Sequence, residues 1–144
     1  EAQAILGLVR TECGNNSDLE EKIIHIERDL YVLMAELATD PSKHGKLEPG
    51  KSKVNEEMIT FLENFIDEIT SNFELPKEFV LPGQNRISAL LDISRTVVRR
   101  AERRAIACDV EGSLAVPYLN RLSDLLWAMA RWQEGESITS RSIK

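Results

Sequence analysis

Apolar residues recur every three or four positions along most of the 144-residue chain. That is the spacing of one face of an α-helix turning about 100° per residue. Leu19, Ile23, Ile26, Leu30, Leu33 and Leu37 define one such segment, with Ser17 or Asp18 as its expected cap. Met58, Phe61, Leu62, Phe65, Ile69 and Phe73 define the next, and Ile5, Leu6 and Val9 a short helix at the start, read as the tail of a longer one. Two long helices are expected over 86–109 and 114–133. DPSKHGKLEPGKSK (40–53) reads as a polar loop, and ELPKEFVLPGQN (74–85) as a break whose apolar centre is unusual for a solvated turn. No alternation of strand type lasts more than a few residues. The pattern predicts an all-α fold, a bundle of about five helices in left-handed up-down packing. The chain is expected to form one domain over residues 1–144, with residues 135–144 (GESITSRSIK) as a frayed tail.

Charge changes the picture at one place. RTVVRRAERR, Arg95 to Arg104, holds five arginines and one glutamate and carries +4, whereas the whole chain carries −6. On a helical projection Ile87, Leu90, Leu91, Val97, Val98, Ala101 and Ala105 fall on one arc. Asp92, Arg95, Arg99, Glu102 and Arg103 fall opposite, with Arg100 and Arg104 flanking them. Arginines four apart cost roughly 0.2–0.5 kcal/mol per pair in an isolated helix, so something must offset them. Two readings are open from charge alone. One is a solvated face neutralised by carboxylates of neighbouring helices. The other is a polyanion site, because the guanidinium fork matches phosphate oxygens with two parallel hydrogen bonds.

The last helix bears on that choice. In PYLNRLSDLLWAMARW, Tyr118, Leu122, Leu125 and Met129 make an apolar seam, while Asn120, Asp124, Trp127 and Arg131 make a polar-aromatic stripe. Packed beside the arginine helix, that stripe completes a polar pocket. Read structurally instead, Asp124 supports a core arginine and Asn120 satisfies a backbone group.

Composition removes several alternatives. The acidic balance argues against general nucleic-acid binding. No apolar run approaches the roughly 20 residues that span a bilayer. Cys13 and Cys108 are too few and too far apart for a disulfide scaffold or zinc knuckle. With no signal-peptide pattern, they are expected to be reduced thiols in a cytoplasmic protein. A ferritin-like di-metal bundle wants Glu-x-x-His on facing helices, which this chain lacks. No Ser/His/Asp, Cys/His or paired-carboxylate constellation stands out, and His25 and His44 are the only histidines.

The blocks EFVLPGQNRISALLDISRTVVRRAERRAI and YLNRLSDLLWAMARW resemble the PduO-type ATP:cob(I)alamin adenosyltransferases. Those enzymes carry an F-[IV]-L-P-G-G turn, an A-R-x-x-x-R-R-x-E-R helix and an L-N-R-L-S-D helix in this order. EAQAILGLVR and IHIERDLYVLMAEL are similar to the family's two earlier helices, so the resemblance spans Glu1 to Trp132. It implies a five-helix bundle assembling as a homotrimer with active sites between subunits. The implied reaction moves the 5′-deoxyadenosyl group of ATP onto the cobalt of reduced cobalamin and releases triphosphate, with Mg2+ accompanying the nucleotide. By the same resemblance Arg99, Arg100, Glu102, Arg103 and Asn120 contact ATP. Arg95 pairs with an aspartate of the neighbouring subunit, and Phe79 displaces the lower ligand of cobalamin. Asp124 is expected as polar support. A cobalamin reductase or a B12-dependent enzyme is the expected transient partner.

Departures from the family pattern are specific. The phosphate-wrapping T-R-T-G-D-x-G-x-T segment, and the aspartate that would pair with Arg95, are expected ahead of Glu1 in a longer chain. Gln84 stands for the second glycine of the turn, Met34 for a helix-two glycine, and Asp92 for a histidine one turn before Arg95. At that spacing Asp92 can pair with Arg95 within the chain. These departures leave a second function open: a corrinoid- or ATP-binding trimer that holds and delivers adenosylcobalamin without efficient turnover.

Overall fold

A computed structural model describes residues 1–142. Among them are five α-helices: α1 (Ala2–Thr11), α2 (Ser17–Ala38), α3 (Glu56–Asn72), α4 (Arg86–Ala105) and α5 (Ala115–Glu134). The bundle expected from periodicity is the bundle observed. The polar 40–53 segment winds one 3-10 stretch, Pro41–Lys46, behind an Asp40 cap, and a second, Ile106–Cys108, ends α4 earlier than the pattern predicts. Two-residue strands β1 (Val80–Leu81) and β2 (Ile138–Thr139) pair antiparallel.

Capping groups set the helix starts. Asn16, one residue ahead of the expected Ser17 or Asp18, accepts a hydrogen bond from the Leu19 amide at 3.2 Å. Asn55 does the same for Met58, and Asn85 forms a reciprocal capping box with Ser88. Ser17 and Asp18 fall instead in the first turn, where an acidic group complements the helix dipole.

Helix α5 is the centre of the bundle. Leu119, Leu122, Leu125, Leu126 and Met129 are all buried and share one arc of the helix. It packs along α4 and also against α3, while α1 lies on α4 and α2. Its end is set by Gly135, whose φ of 73° is a left-handed conformation that a side chain would strain.

The tail beyond Gly135 departs from the expected fraying. Ile138 and Thr139 register against Leu81 and Val80, and the Ser140 amide donates to the Phe79 carbonyl at 2.8 Å. The apolar 74–85 break offers a free strand edge, and the tail satisfies it. The last two residues of the tail lie outside the described residues.

Candidate active site on the arginine helix

Helix α4 carries its arginines on more than one face, and each group meets a different environment. Arg99 Nη1 donates to Glu102 Oε2 at 2.5 Å, one turn along. The other Glu102 oxygen accepts from Asn120 Nδ2 on α5 at 2.9 Å. Glu102 is only 7% exposed. A carboxylate in that position is stable only when both oxygens are engaged, so it fixes Arg99 and Asn120 relative to one another across two helices. Arg103 is exposed beside this cluster. Arg100 turns away from it: its Nη2 donates to Glu1 Oε2 at 2.8 Å and holds that carboxyl below its ordinary range. Arg100 therefore borders a separate groove of about 380 Å³, shared with Arg104, Met34 and the start of α1.

One turn before Arg99, Arg95 faces a cavity of about 630 Å³ between α4, α5 and the 76–82 loop. Phe79 stands on its rim with 88% of its surface exposed, and Trp127, Asp92 and Arg131 line the wall. Arg131 is 2% exposed, and its Nη2 donates to Asp92 Oδ2 at 2.5 Å. The same Nη2 also donates to Glu134 Oε2 at 3.3 Å, while Arg131 Nε lies 2.8 Å from Glu134 Oε1 off the axis of a hydrogen bond. The Arg95–Asp92 pairing read from spacing is present but long, with Nε 3.7 Å from Oδ1. Arg95 Nε is buried and has no hydrogen-bond partner among the described residues.

The structure thus joins Phe79 with Arg95, and Arg99 with Glu102 and Asn120, along one side of α4. It does not bring in Asp124. That residue is exposed and paired with Arg121 at 3.3 Å, one turn back on its own helix. The core arginine of α5 is Arg131, and its support comes from Asp92 and Glu134, because α4 presents Asp92 to the α5 face that carries Arg131. Asn120 likewise bonds a side chain rather than the backbone group of the structural reading.

Comparison with known proteins follows this geometry. The sequence profile of the cobalamin adenosyltransferases matches residues 1–133. The chain belongs to the cobalamin adenosyltransferase family. A corrinoid adenosyltransferase of Citrobacter freundii is 40% identical over 121 residues, covering 82% of this chain and 67% of the relative. That of Bacillus subtilis is 34% identical over 137 residues, covering 91% and 68%. Among solved structures, a single-residue variant of the PduO-type ATP:corrinoid adenosyltransferase of Lactobacillus reuteri, complexed with cobalamin and ATP, superposes with a TM-score of 0.85. It is 25% identical and covers all of this chain and 80% of that one. No described helix is long and apolar enough to cross a membrane.

Other polar groups of this adenosyltransferase fold were not legible in the sequence. Glu36 is fully buried, accepting from the Val54 amide at 2.7 Å and the Ser113 hydroxyl at 2.6 Å, which ties two loops to α2. Asp29 accepts from the buried Tyr118 hydroxyl at 3.2 Å, and its Oδ2 lies 3.7 Å from His25 Nε2. Burial raises the Asp29 pKa against the opposing pull of His25 and Tyr118, and burial with Asp29 pushes the Tyr118 phenol well above its ordinary value. The available signal for each was a polar residue at an apolar position of the helical repeat.

Proposed function

We propose that this chain transfers the 5′-deoxyadenosyl group of ATP to Co(I) of cobalamin, giving adenosylcobalamin and triphosphate, at sites between the protomers of a homotrimer. The observation that carries this reading is the Arg99–Glu102–Asn120 cluster, set one helical turn from the cavity walled by Arg95 and rimmed by Phe79. It offers preset cationic and amide donors beside a cavity of about 630 Å³.

The reaction sets the requirements. Co(I) supplies the electron pair that forms the Co–C5′ bond, and the C5′–O bond breaks as triphosphate leaves with that bonding pair. No proton moves at the reacting carbon, so no general base is needed; positioning and stabilisation of the departing charge are. Arg99 and Arg103, always protonated, face the triphosphate. Asn120 contacts the nucleotide, and Glu102 orients both Arg99 and Asn120. Arg100 contacts ATP from the groove at the subunit boundary. Arg95, whose side chain is partly exposed at the cavity wall, meets a carboxylate of the neighbouring protomer. The exposed Phe79 ring takes the lower face of the corrin and displaces the axial ligand.

Mg2+ enters with the nucleotide phosphates, its usual mode. The protein works in the cytoplasm, where Cys13 and Cys108 stay as the free thiols observed, and a reductase supplying Co(I) or an enzyme consuming the product is its transient partner.

The test is the spectral conversion of cob(I)alamin to adenosylcobalamin on adding ATP. Product formation at enzymic rates is expected. Tight corrinoid binding without turnover marks a holding and delivery module instead, and neither binding nor turnover defeats both readings.

A further inference from the structure

Four charged groups form a chain of ion pairs from the C-terminal end of α5 along the cavity wall: Glu134, Arg131, Asp92 and Arg95. Their charges alternate and sum to zero. The inner three are almost wholly enclosed, with side chains 0%, 2% and 9% exposed, while Arg95 is 35% exposed. Enclosed charges persist only when each meets an opposite one. Arg131 is oversupplied in that respect, lying between Glu134 and Asp92. Glu134 is itself fixed by the Ser137 hydroxyl, which donates to its Oε1 at 2.5 Å.

The consequence falls on Asp92. Arg131 engages its Oδ2, which leaves Oδ1 directed at Arg95. We propose that Asp92 is a positioning residue: held from behind by Arg131, its carboxylate sets where the Arg95 guanidinium stands at the cavity wall. Arg95 has a long side chain with several rotamers, and its Nε has no hydrogen-bond partner among the described residues. A fixed negative charge one turn away biases that ensemble toward the cavity without saturating its donors, which stay available to a ligand or neighbouring protomer. A neutral residue at position 92 removes that bias. The inference rests on the assignment of Arg95 to the active site but is tested apart from it.

The experiment measures the Arg95 Nε–Hε signal by NMR relaxation in the wild-type protein and in Asp92→Asn. A restrained Arg95 side chain is expected in the wild type, together with a marked rise in its mobility in Asp92→Asn. A freely mobile Arg95 in the wild type overturns the proposal, and this arm stands even if the variant does not fold. So does an unchanged Arg95 signal in a folded variant. Turnover gives the second arm. Asp92→Asn is expected to lower kcat about tenfold in the wild-type background and less than twofold in Arg95→Ala, with Asp92→Glu recovering most of the loss. Equal losses in both backgrounds show a merely structural aspartate and overturn the proposal. A wild type without turnover defeats the proposed reaction, while the NMR arm still decides the role of Asp92.

Discussion

Glu102 shows how one side chain turns an unfavourable charge pattern into a site. Alone among five arginines on the 95–104 segment, it is buried, bonds Arg99 on its own helix and reaches Asn120 on the next. Arg99→Ala removes the donor it orients. Transition-state stabilisation should fall by at least about 2 kcal/mol, roughly thirtyfold in kcat/KM, since a tenfold change is about 1.4 kcal/mol. Circular dichroism should show an unchanged helical fold; near-normal turnover contradicts the role. Asp29 gives a prediction of a different kind. Its pKa is raised by burial from an ordinary 3.8, so the folded state binds its proton more tightly than the unfolded chain. The resulting stabilisation is full below 3.8 and is lost as pH rises through the folded value. Urea melts should therefore show wild-type stability rising relative to Asp29→Asn as pH falls from neutrality toward that range; a pH-independent difference contradicts it. At this scale the arginines were legible because their charge is anomalous in an acidic chain. Arg131, the one most buried, was less so. Its partners Asp92 and Glu134 lie on two helices, and sequence spacing alone pointed to Asp124, which points outward beside Arg121.

Helices are where the sequence spoke most clearly, because burial of one face imposes a period that leucine, isoleucine and phenylalanine report directly. The starts of α3 and α4 hang on single asparagines, Asn55 and Asn85. Asn85→Ala should cost about 0.5–2 kcal/mol, read as a lowered urea midpoint with an unchanged m-value. The β1–β2 pair was not legible. Two-residue strands have no periodicity, and the 135–144 segment has the polar composition of a loose end. Its order comes from the strand edge at Val80–Leu81, more than fifty residues earlier. Ending the chain after Gly135 should raise hydrogen exchange at the Leu81 amide and leave protection within α5 intact. Unchanged exchange at Leu81 contradicts the pairing.

At the scale of the whole molecule, several large apolar side chains remain on the surface of the single protomer, among them Leu8 at 50%, Tyr31 at 67%, Ile93 at 49% and Ile106 at 58%. In the homotrimer proposed above, contacts between protomers would cover such groups. Sedimentation at micromolar concentration should give about three times the mass of one chain, and Arg95→Ala should shift the population toward monomer; a monomeric wild type contradicts the interface. The central claim is that the guanidinium groups of α4 hold a nucleotide's phosphates between protomers. The most direct measurement is a crystal structure of the protein with ATP. The account predicts triphosphate oxygens within hydrogen-bonding distance of Arg99 and Arg103, with adenosine beside Asn120 and a second protomer closing the site. ATP bound elsewhere, with those arginines facing open solvent, would contradict it.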